Sequence, residues 1–313
     1  MSLAFVFPGQ GSQSVGMLSQ LATEFPHVQA TFNEASDVLG YDLWQLITDG
    51  PAESLNQTER TQPAMLAAGI AVWRSWLSVT DITPSFLAGH SLGEYTALVA
   101  SGAIAFSDAI KLVEQRGLFM QQAVPAGSGA MAAILGLDDD SVRTICSTAA
   151  VNGIVEAVNY NSPGQVVIAG ESSAINVAIE LAKEQGAKRA LLLPVSVPSH
   201  CALMKPAAEQ LAVALANVSI VSPIIPVLHN VSFSSENDSD NIKRLLTEQL
   251  YSPVRWVETV QSFANQGVDT LVECGPGKVL AGLTKRIDKS LVGLPVFDQI
   301  SMDKAIQKLG EKS

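Results

Sequence analysis

Short apolar runs that stop at glycine or proline alternate along this chain with longer mixed stretches, the rhythm of an α/β fold. Leu3-Ala4-Phe5-Val6-Phe7 predicts a short buried strand, and Pro8-Gly9-Gln10-Gly11-Ser12-Gln13 predicts a turn ahead of a helix. Residues 25–59 are polar and helical in character, broken at Gly40 and at Gly50-Pro51. A long helix is predicted from Pro63 to Leu77, with Pro63 at a first helical position. Ser85-Phe86-Leu87-Ala88 is strand-like and runs into Gly89-His90-Ser91-Leu92-Gly93, after which Glu94 to Ser101 is helical. The next predicted helix covers 107–124, with Ser107 or Asp108 as its cap.

The rhythm then changes. Pro125-Ala126-Gly127-Ser128-Gly129 is a hinge-like linker. Beyond it the pattern predicts strand 130–137, helix 139–150, strand 154–160, turn 161–164, strand 165–169, helix 172–185 and strand 189–194. That order, β-α-β-β-α-β, is a split-βαβ ferredoxin-like unit inserted in the larger α/β body. The α/β pattern resumes with helix 201–216, strand 225–228, helices 240–250 and 254–266, and strand 269–273. That strand ends in Cys274-Gly275-Pro276-Gly277 before a helix reaching about Lys289, and Ser232 to Asp240 is expected to be a mobile surface loop.

Composition narrows the function. The chain has 313 residues, 47% of them hydrophobic and 16% charged, so much of it is expected to be buried, as a parallel sheet requires. No apolar run approaches the roughly 18 to 20 residues of a membrane span. The first basic residue is Arg60, so no signal peptide is expected and a cytoplasmic location is. A net charge of −11 argues against nucleic acid as a partner. The three cysteines (Cys146, Cys201, Cys274) are isolated, and the four histidines show no metal-ligand spacing, so neither a disulfide framework nor a metal site is expected.

The candidate chemistry centres on Gly89-His90-Ser91-Leu92-Gly93, a G-x-S-x-G pattern at a strand-to-helix turn. Such a turn exposes one hydroxyl, and glycines flank it because side chains there would collide with the turn. The following helix aims its N-terminal N–H groups at the site where negative charge develops during acyl transfer. The alternative is a strand–turn–helix with a small residue for packing. A serine needs a base, and His200, in Val195-Ser196-Val197-Pro198-Ser199-His200-Cys201, is the candidate. A nearby helix N-terminus would keep it neutral; the alternative is a histidine that satisfies helix-start hydrogen bonds. His90 is expected to be structural, and His27 and His229 to be ordinary surface or packed residues. The third triad member is missing. Between residues 91 and 200, Asp108, Glu114, Asp138 to Asp140, Glu171, Glu180 and Glu184 read as cap or surface groups; a polar neutral group or a backbone carbonyl could orient the histidine instead. For the oxyanion hole, Leu92 supplies one N–H and the Gly9-Gln10-Gly11 loop the other. This loop lacks the lysine and spacing of a nucleotide-phosphate loop. Arg116 has two readings, a surface arginine paired with Glu114 or a buried fork for a substrate carboxylate, and periodicity favours the first.

Taken together, residues 5–13, 89–95, 115–117, 159–165, 194–200 and 275–278 give the chain a close, nearly full-length resemblance to the malonyl-CoA:acyl carrier protein transacylases of bacterial type II fatty acid synthesis. The resemblance implies an α/β fold: a hydrolase-like larger domain with a parallel central sheet (residues 1–125 and 196–313) and an inserted ferredoxin-like domain (126–195). It implies that Ser91 is the acylated nucleophile and His200 its base, oriented by the backbone carbonyl of Gln249. Gln10 and Leu92 would form the oxyanion hole, and Arg116 would pair with the malonyl carboxylate, against the reading from periodicity. Met120, Gln62, Asn159 and Ser196 would line the acyl pocket. The implied reaction is ping-pong: malonyl-CoA loads the serine and the phosphopantetheine thiol of acyl carrier protein unloads it, with no bound cofactor. Because acyl carrier protein is usually acidic, docking needs a basic patch, and Lys278, Lys285, Arg286 and Lys289 form the densest cluster, in a stretch expected to be helical. A monomer is expected. A thioesterase or esterase with the same elbow and a non-catalytic carrier-binding protein are the rivals.

Overall fold

Leu3 to Phe7 are all buried, so both faces of their strand are covered, as a central parallel strand requires. The structure is a computed structural model that describes residues 2–195 and 197–311. In chain order it contains β1 (Ser2–Phe7), α1 (Ser19–Glu24), α2 (Pro26–Leu39), α3 (Leu43–Asp49), α4 (Ala52–Leu55), α5 (Thr58–Val79), β2 (Phe86–Gly89), α6 (Gly93–Ala100) and α7 (Phe106–Ala123). Next come β3 (Gly129–Leu135), α8 (Asp139–Ala149), β4 (Val155–Ser162), β5 (Gln165–Glu171), α9 (Ser172–Glu184) and β6 (Arg189–Leu192). The chain closes with α10 (Lys205–Ala216), β7 (Val227–Leu228), α11 (Ser239–Gln249), α12 (Trp256–Asn265), β8 (Val268–Cys274), α13 (Val279–Ile287), β9 (Val292–Val296) and α14 (Gln299–Gly310).

Two sheets result. The first is parallel, with strand order β7-β2-β1-β8-β9, and β1 lies in register with β2 from Ala4↔Phe86 to Phe7↔Gly89. Its side chains alternate between two cores. Phe5, Phe7, Leu87 and Val272 pack towards α2, α5, α6 and α7, where Phe5 meets Trp73 and Trp76 edge-on at 5.4 and 5.1 Å. Ala4, Val6, Ala88 and Leu271 pack towards α12 and α13. The second sheet is antiparallel, order β4-β5-β3-β6, with α8 and α9 on one face around Ile134, Val142, Ile168 and Ile175. Its other face, with Met131, Val158, Val167 and Ala169, packs on Cys201. A backbone seam joins the two bodies: Val254 N–H donates to the Val158 carbonyl (2.8 Å) and Tyr160 N–H to the Val254 carbonyl (3.1 Å).

Several boundaries differ from the sequence expectation, each for a physical reason. The long helix α5 starts at Thr58, so Pro63 lies inside it. The missing Pro63 N–H forfeits one bond to the Glu59 carbonyl. Close packing of α7 offsets this: a Cβ on Gly117 would stand 2.6 Å from Glu59 Cα. Helix α7 starts at Phe106 with Ala105 at its N-cap and no side-chain cap, so neither Ser107 nor Asp108 caps it. Burial of Phe106, Ala109 and Ile110 sets its start instead. Strand β9 and helix α14 were not anticipated. Gly293 and Pro295 disguise β9, but at the sheet edge a proline costs no ladder bond. Helix α14 begins with an Asp298/Ser301 capping box. The basic cluster is only partly helical: Lys285 and Arg286 lie in α13, while Lys278 precedes it and Lys289 follows it, because Asp288 turns extended. Residues 232–238 form the loop ahead of α11.

Candidate active site

The turn between β2 and α6 is tight. Ser91 sits at φ 52, a left-handed conformation that side chains rarely adopt. A Cβ on Gly89 would run into the Gly93 carbonyl group, and one on Gly93 into the Phe7 carbonyl, so α6 can start this close to β1 and β2 only with glycine at both positions. Asn230, just after β7, braces the turn: its Oδ1 accepts from Ser91 N–H at 2.7 Å, and its Nδ2 donates to the Gly89 carbonyl at 2.6 Å. Ser91 Oγ is thereby presented at the carboxyl end of β2, just ahead of the α6 N-terminus.

His200 faces it from the other side of the cleft, also left-handed at φ 68. Its backbone N–H donates to the Leu250 carbonyl (2.9 Å), and its Nδ1 lies 2.7 Å from the Gln249 carbonyl oxygen. A carbonyl only accepts, so Nδ1 carries the proton, and Nε2 is left as the acceptor for Ser91 Oγ, 2.7 Å away. The Gln249 carbonyl belongs to the last turn of α11, where carbonyls have no partner within the helix and carry the negative end of the dipole. Burial, reinforced by the Arg116 charge, lowers the His200 pKa from 6.5 to about 3, and the Gln249 carbonyl partly opposes the shift. The imidazole is therefore neutral because it is buried beside a cation, not because a helix N-terminus lies near, as the sequence suggested.

Arg116 is 1% exposed, which overturns the surface reading with Glu114. Two of its N–H groups donate to amide oxygens, Nη1 to Gln62 Oε1 (2.8 Å) and Nη2 to Gln249 Oε1 (3.0 Å). Its Nε–H has no partner among the described residues, and the guanidinium stacks 5.4 Å from the centre of the Tyr95 ring. Burial lowers its pKa, and the adjacent Tyr95 side chain and the Glu94 carboxylate oppose the shift. Gln62 also donates through Nε2 to Met120 Sδ at 3.4 Å.

Gln10, Ser91, Leu92, Arg116, Met120, Asn159 and His200 converge on one cavity of about 100 Å³ between the two sheets, closed by the apolar Met131, Leu193, Val195 and Val197. Asn159 Oδ1 is buried there without a partner among the described residues. Gln62 stands behind Arg116 rather than on the cavity wall, and Ser196 lies outside the described residues. His90 also borders the cavity, but its Nε2 is engaged by Asn161 Oδ1 at 2.8 Å and its ring packs on Trp256. His27 is exposed on α2. His229 is fully buried, with Nδ1 2.7 Å from Glu94 Oε1. Among the described residues no group of three His, Cys, Asp or Glu side chains is placed to hold a metal ion, and no helix is long and apolar enough to cross a membrane.

Sequence reasoning overlooked Glu94 and Asn230, and it gave Gln249 a role only through its backbone. Glu94 is 0% exposed and accepts from Gln249 Nε2 (2.7 Å) and Asn230 N–H (3.0 Å) as well as pairing with His229. One signal was available: Glu94 is the only charged residue in the apolar run from Gly93 to Ala100, and a carboxylate buried in such a helix needs a reason.

Comparison with known proteins identifies the family. The family model described as "Acyl transferase domain" matches residues 4–300. The malonyl CoA-acyl carrier protein transacylase of Haemophilus influenzae is 59% identical over 301 residues, covering 96% of both chains. An acyl carrier protein S-malonyltransferase of Vibrio cholerae superposes with a TM-score of 0.95 at 59% identity, covering 97% of this chain and 100% of that one. A malonyl-transacylase solved with its type II PKS acyl-carrier protein superposes with a TM-score of 0.97 at 55% identity, covering 98% of this chain and 100% of that one. The chain belongs to the malonyl CoA-acyl carrier protein transacylase family and is an acyltransferase.

Proposed function

We propose that this enzyme moves a malonyl group from malonyl-CoA to the phosphopantetheine thiol of an acyl carrier protein, by way of an ester on Ser91. The observation that carries the reading is the line Ser91 Oγ–His200 Nε2, His200 Nδ1–Gln249 O, in one small cavity with a buried arginine that, among the described residues, no carboxylate touches. In the first half, His200 Nε2 takes the hydroxyl proton as Ser91 Oγ attacks the thioester carbon. The oxyanion forms between the amides of Gln10 and Leu92, and as it collapses His200 Nε2 gives the proton to the departing sulfur, so CoA leaves as the thiol and His200 is neutral again. In the second half, His200 takes the proton of the carrier thiol, that sulfur attacks the ester, and the proton returns to Ser91 Oγ. A carbonyl stabilises the transient imidazolium less than an aspartate would.

Arg116 accounts for the choice of acyl group. Its free N–H groups match a carboxylate in a bidentate pair, and a cavity of about 100 Å³ suits a short acyl chain. An acetyl group would leave the guanidinium buried without a counter-charge in contact, at a cost of about 3 kcal/mol, on the order of 100-fold. The exposed Lys285 and Arg286 on α13, with Lys278 and Lys289 beside them, are the proposed landing surface for the acidic carrier.

Four outcomes are expected. Mixed with malonyl-CoA, the protein should gain one malonyl mass on Ser91, which a holo acyl carrier protein removes much faster than water; rapid loss to water would make it a thioesterase, and no adduct would leave it a carrier-binding protein. Arg116→Ala should lower kcat/KM for malonyl-CoA about 100-fold or more while acetyl transfer holds or rises; unchanged values for both would refute the role. The kcat/KM for Ser91 acylation should stay flat from pH 7 to 5, because free-enzyme His200 titrates near 3. Between pH 6.5 and about 3 the unfolded chain takes a proton the folded chain refuses, so this group lowers stability as pH falls. A half-loss of kcat/KM near 6.5 would contradict the assignment. Lys285→Glu with Arg286→Glu should raise KM for the carrier protein severalfold and leave KM for malonyl-CoA unchanged; an equal effect on both would remove the docking role.

A further inference from the structure

We propose that Glu94 is a positioning residue for acyl-group selection: through the side-chain amide of Gln249 it sets the direction in which Arg116 presents its guanidinium. This rests on the reading that Arg116 holds the free carboxylate of the acyl group.

The observation is the bracketing of one amide. Gln249 Nε2 lies 2.7 Å from Glu94 Oε2, and Gln249 Oε1 lies 3.0 Å from Arg116 Nη2. A carboxylate only accepts and a guanidinium only donates. A flipped Gln249 amide would therefore set oxygen against oxygen at Glu94 and N–H against N–H at Arg116. With Glu94 in place a single orientation satisfies both ends. The same residue reaches the other two participants. Its backbone carbonyl holds His200 Nδ1 at 2.7 Å, and its Nε2 also donates to the Ser91 carbonyl at 3.0 Å.

Glu94 is itself held rigidly. Its Oε1 lies 2.7 Å from His229 Nδ1, and its Oε2 accepts from Asn230 N–H at 3.0 Å. Asn230 in turn holds Ser91 N–H and the Gly89 carbonyl. Glu94, Gln249 and Arg116 are each 1% exposed or less, so water does not compete for these bonds. The carboxylate stays one amide away from the guanidinium. It supports the Arg116 charge without occupying the N–H groups that a substrate carboxylate needs.

Glu94→Gln keeps the shape and places an N–H₂ group among donors. Gln249 can then turn, and Arg116 loses one fixed acceptor. Gln249→Met removes the amide but keeps the backbone carbonyl. The test measures kcat/KM for Ser91 acylation by malonyl-CoA and by acetyl-CoA in wild type, Glu94→Gln, Gln249→Met, the double variant and Arg116→Ala. Glu94→Gln should lower the malonyl-to-acetyl ratio on the order of tenfold, with a higher KM for malonyl-CoA carrying the loss. Gln249→Met should lower the ratio similarly, and the double variant should fall no further, because both changes break one chain of contacts. A role confined to folding would lower both substrates alike, and that result, or a double variant whose losses multiply, overturns the proposal. If Glu94→Gln fails to fold, an unchanged ratio in Gln249→Met overturns it equally, while a lowered ratio in that variant supports it. Arg116→Ala separates the two levels. An unchanged ratio there sinks the underlying reading, whereas a collapsed ratio there with an intact one in Glu94→Gln sinks only the role of Glu94.

Discussion

The site depends on one hydrogen bond, from His200 Nδ1 to the Gln249 carbonyl at the end of α11. That bond decides which imidazole nitrogen carries the proton, and so whether Nε2 can accept from Ser91. An aspartate would do this more strongly, but it would also bring a charge into a cavity that already holds Arg116. A helix-terminal carbonyl brings only a partial charge and leaves the arginine free for an incoming carboxylate. On the proposed function, a carbonyl in place of a third triad residue fits a cavity that takes a negatively charged acyl group.

The fold serves this bond by bringing distant segments together. Ser91 comes from the end of β2, His200 from the segment after β6, Gln249 from the end of α11 and Arg116 from the middle of α7. The antiparallel sheet supplies Met131 and Asn159 to the opposite wall, and the Val254 seam holds it there. Both Ser91 and His200 sit in left-handed backbone, a strain that persists because Asn230 and the carbonyls of residues 249 and 250 fix the chain around them.

Much of this was legible in the sequence because its signals are local. A glycine on each side of Ser91 forecasts a tight turn, and the β-α-β-β-α-β rhythm forecasts the inserted sheet. Signals that depend on tertiary contact were not legible. Arg116 reads as a surface residue because periodicity on α7 counts apolar neighbours and cannot see Gln62 and Gln249 arriving from α5 and α11. Pro63 reads as a helix start because the packing of α7 against the first turn of α5 is invisible from either helix alone. The resemblance to known transacylases supplied Gln249, whose backbone role has no residue-type signature at all. Glu94 stood in plain view inside the quoted motif, yet its reason emerges only when β7 and α11 bring Asn230 and Gln249 to it.

The most direct test is a crystal structure of the protein trapped with malonate esterified to Ser91. The account predicts that the free carboxylate lies within hydrogen-bond distance of the Arg116 guanidinium, that the ester carbonyl oxygen sits between the amides of Gln10 and Leu92, and that His200 Nδ1 stays on the Gln249 carbonyl. A carboxylate turned away from Arg116, or an imidazole released from Gln249, would contradict it.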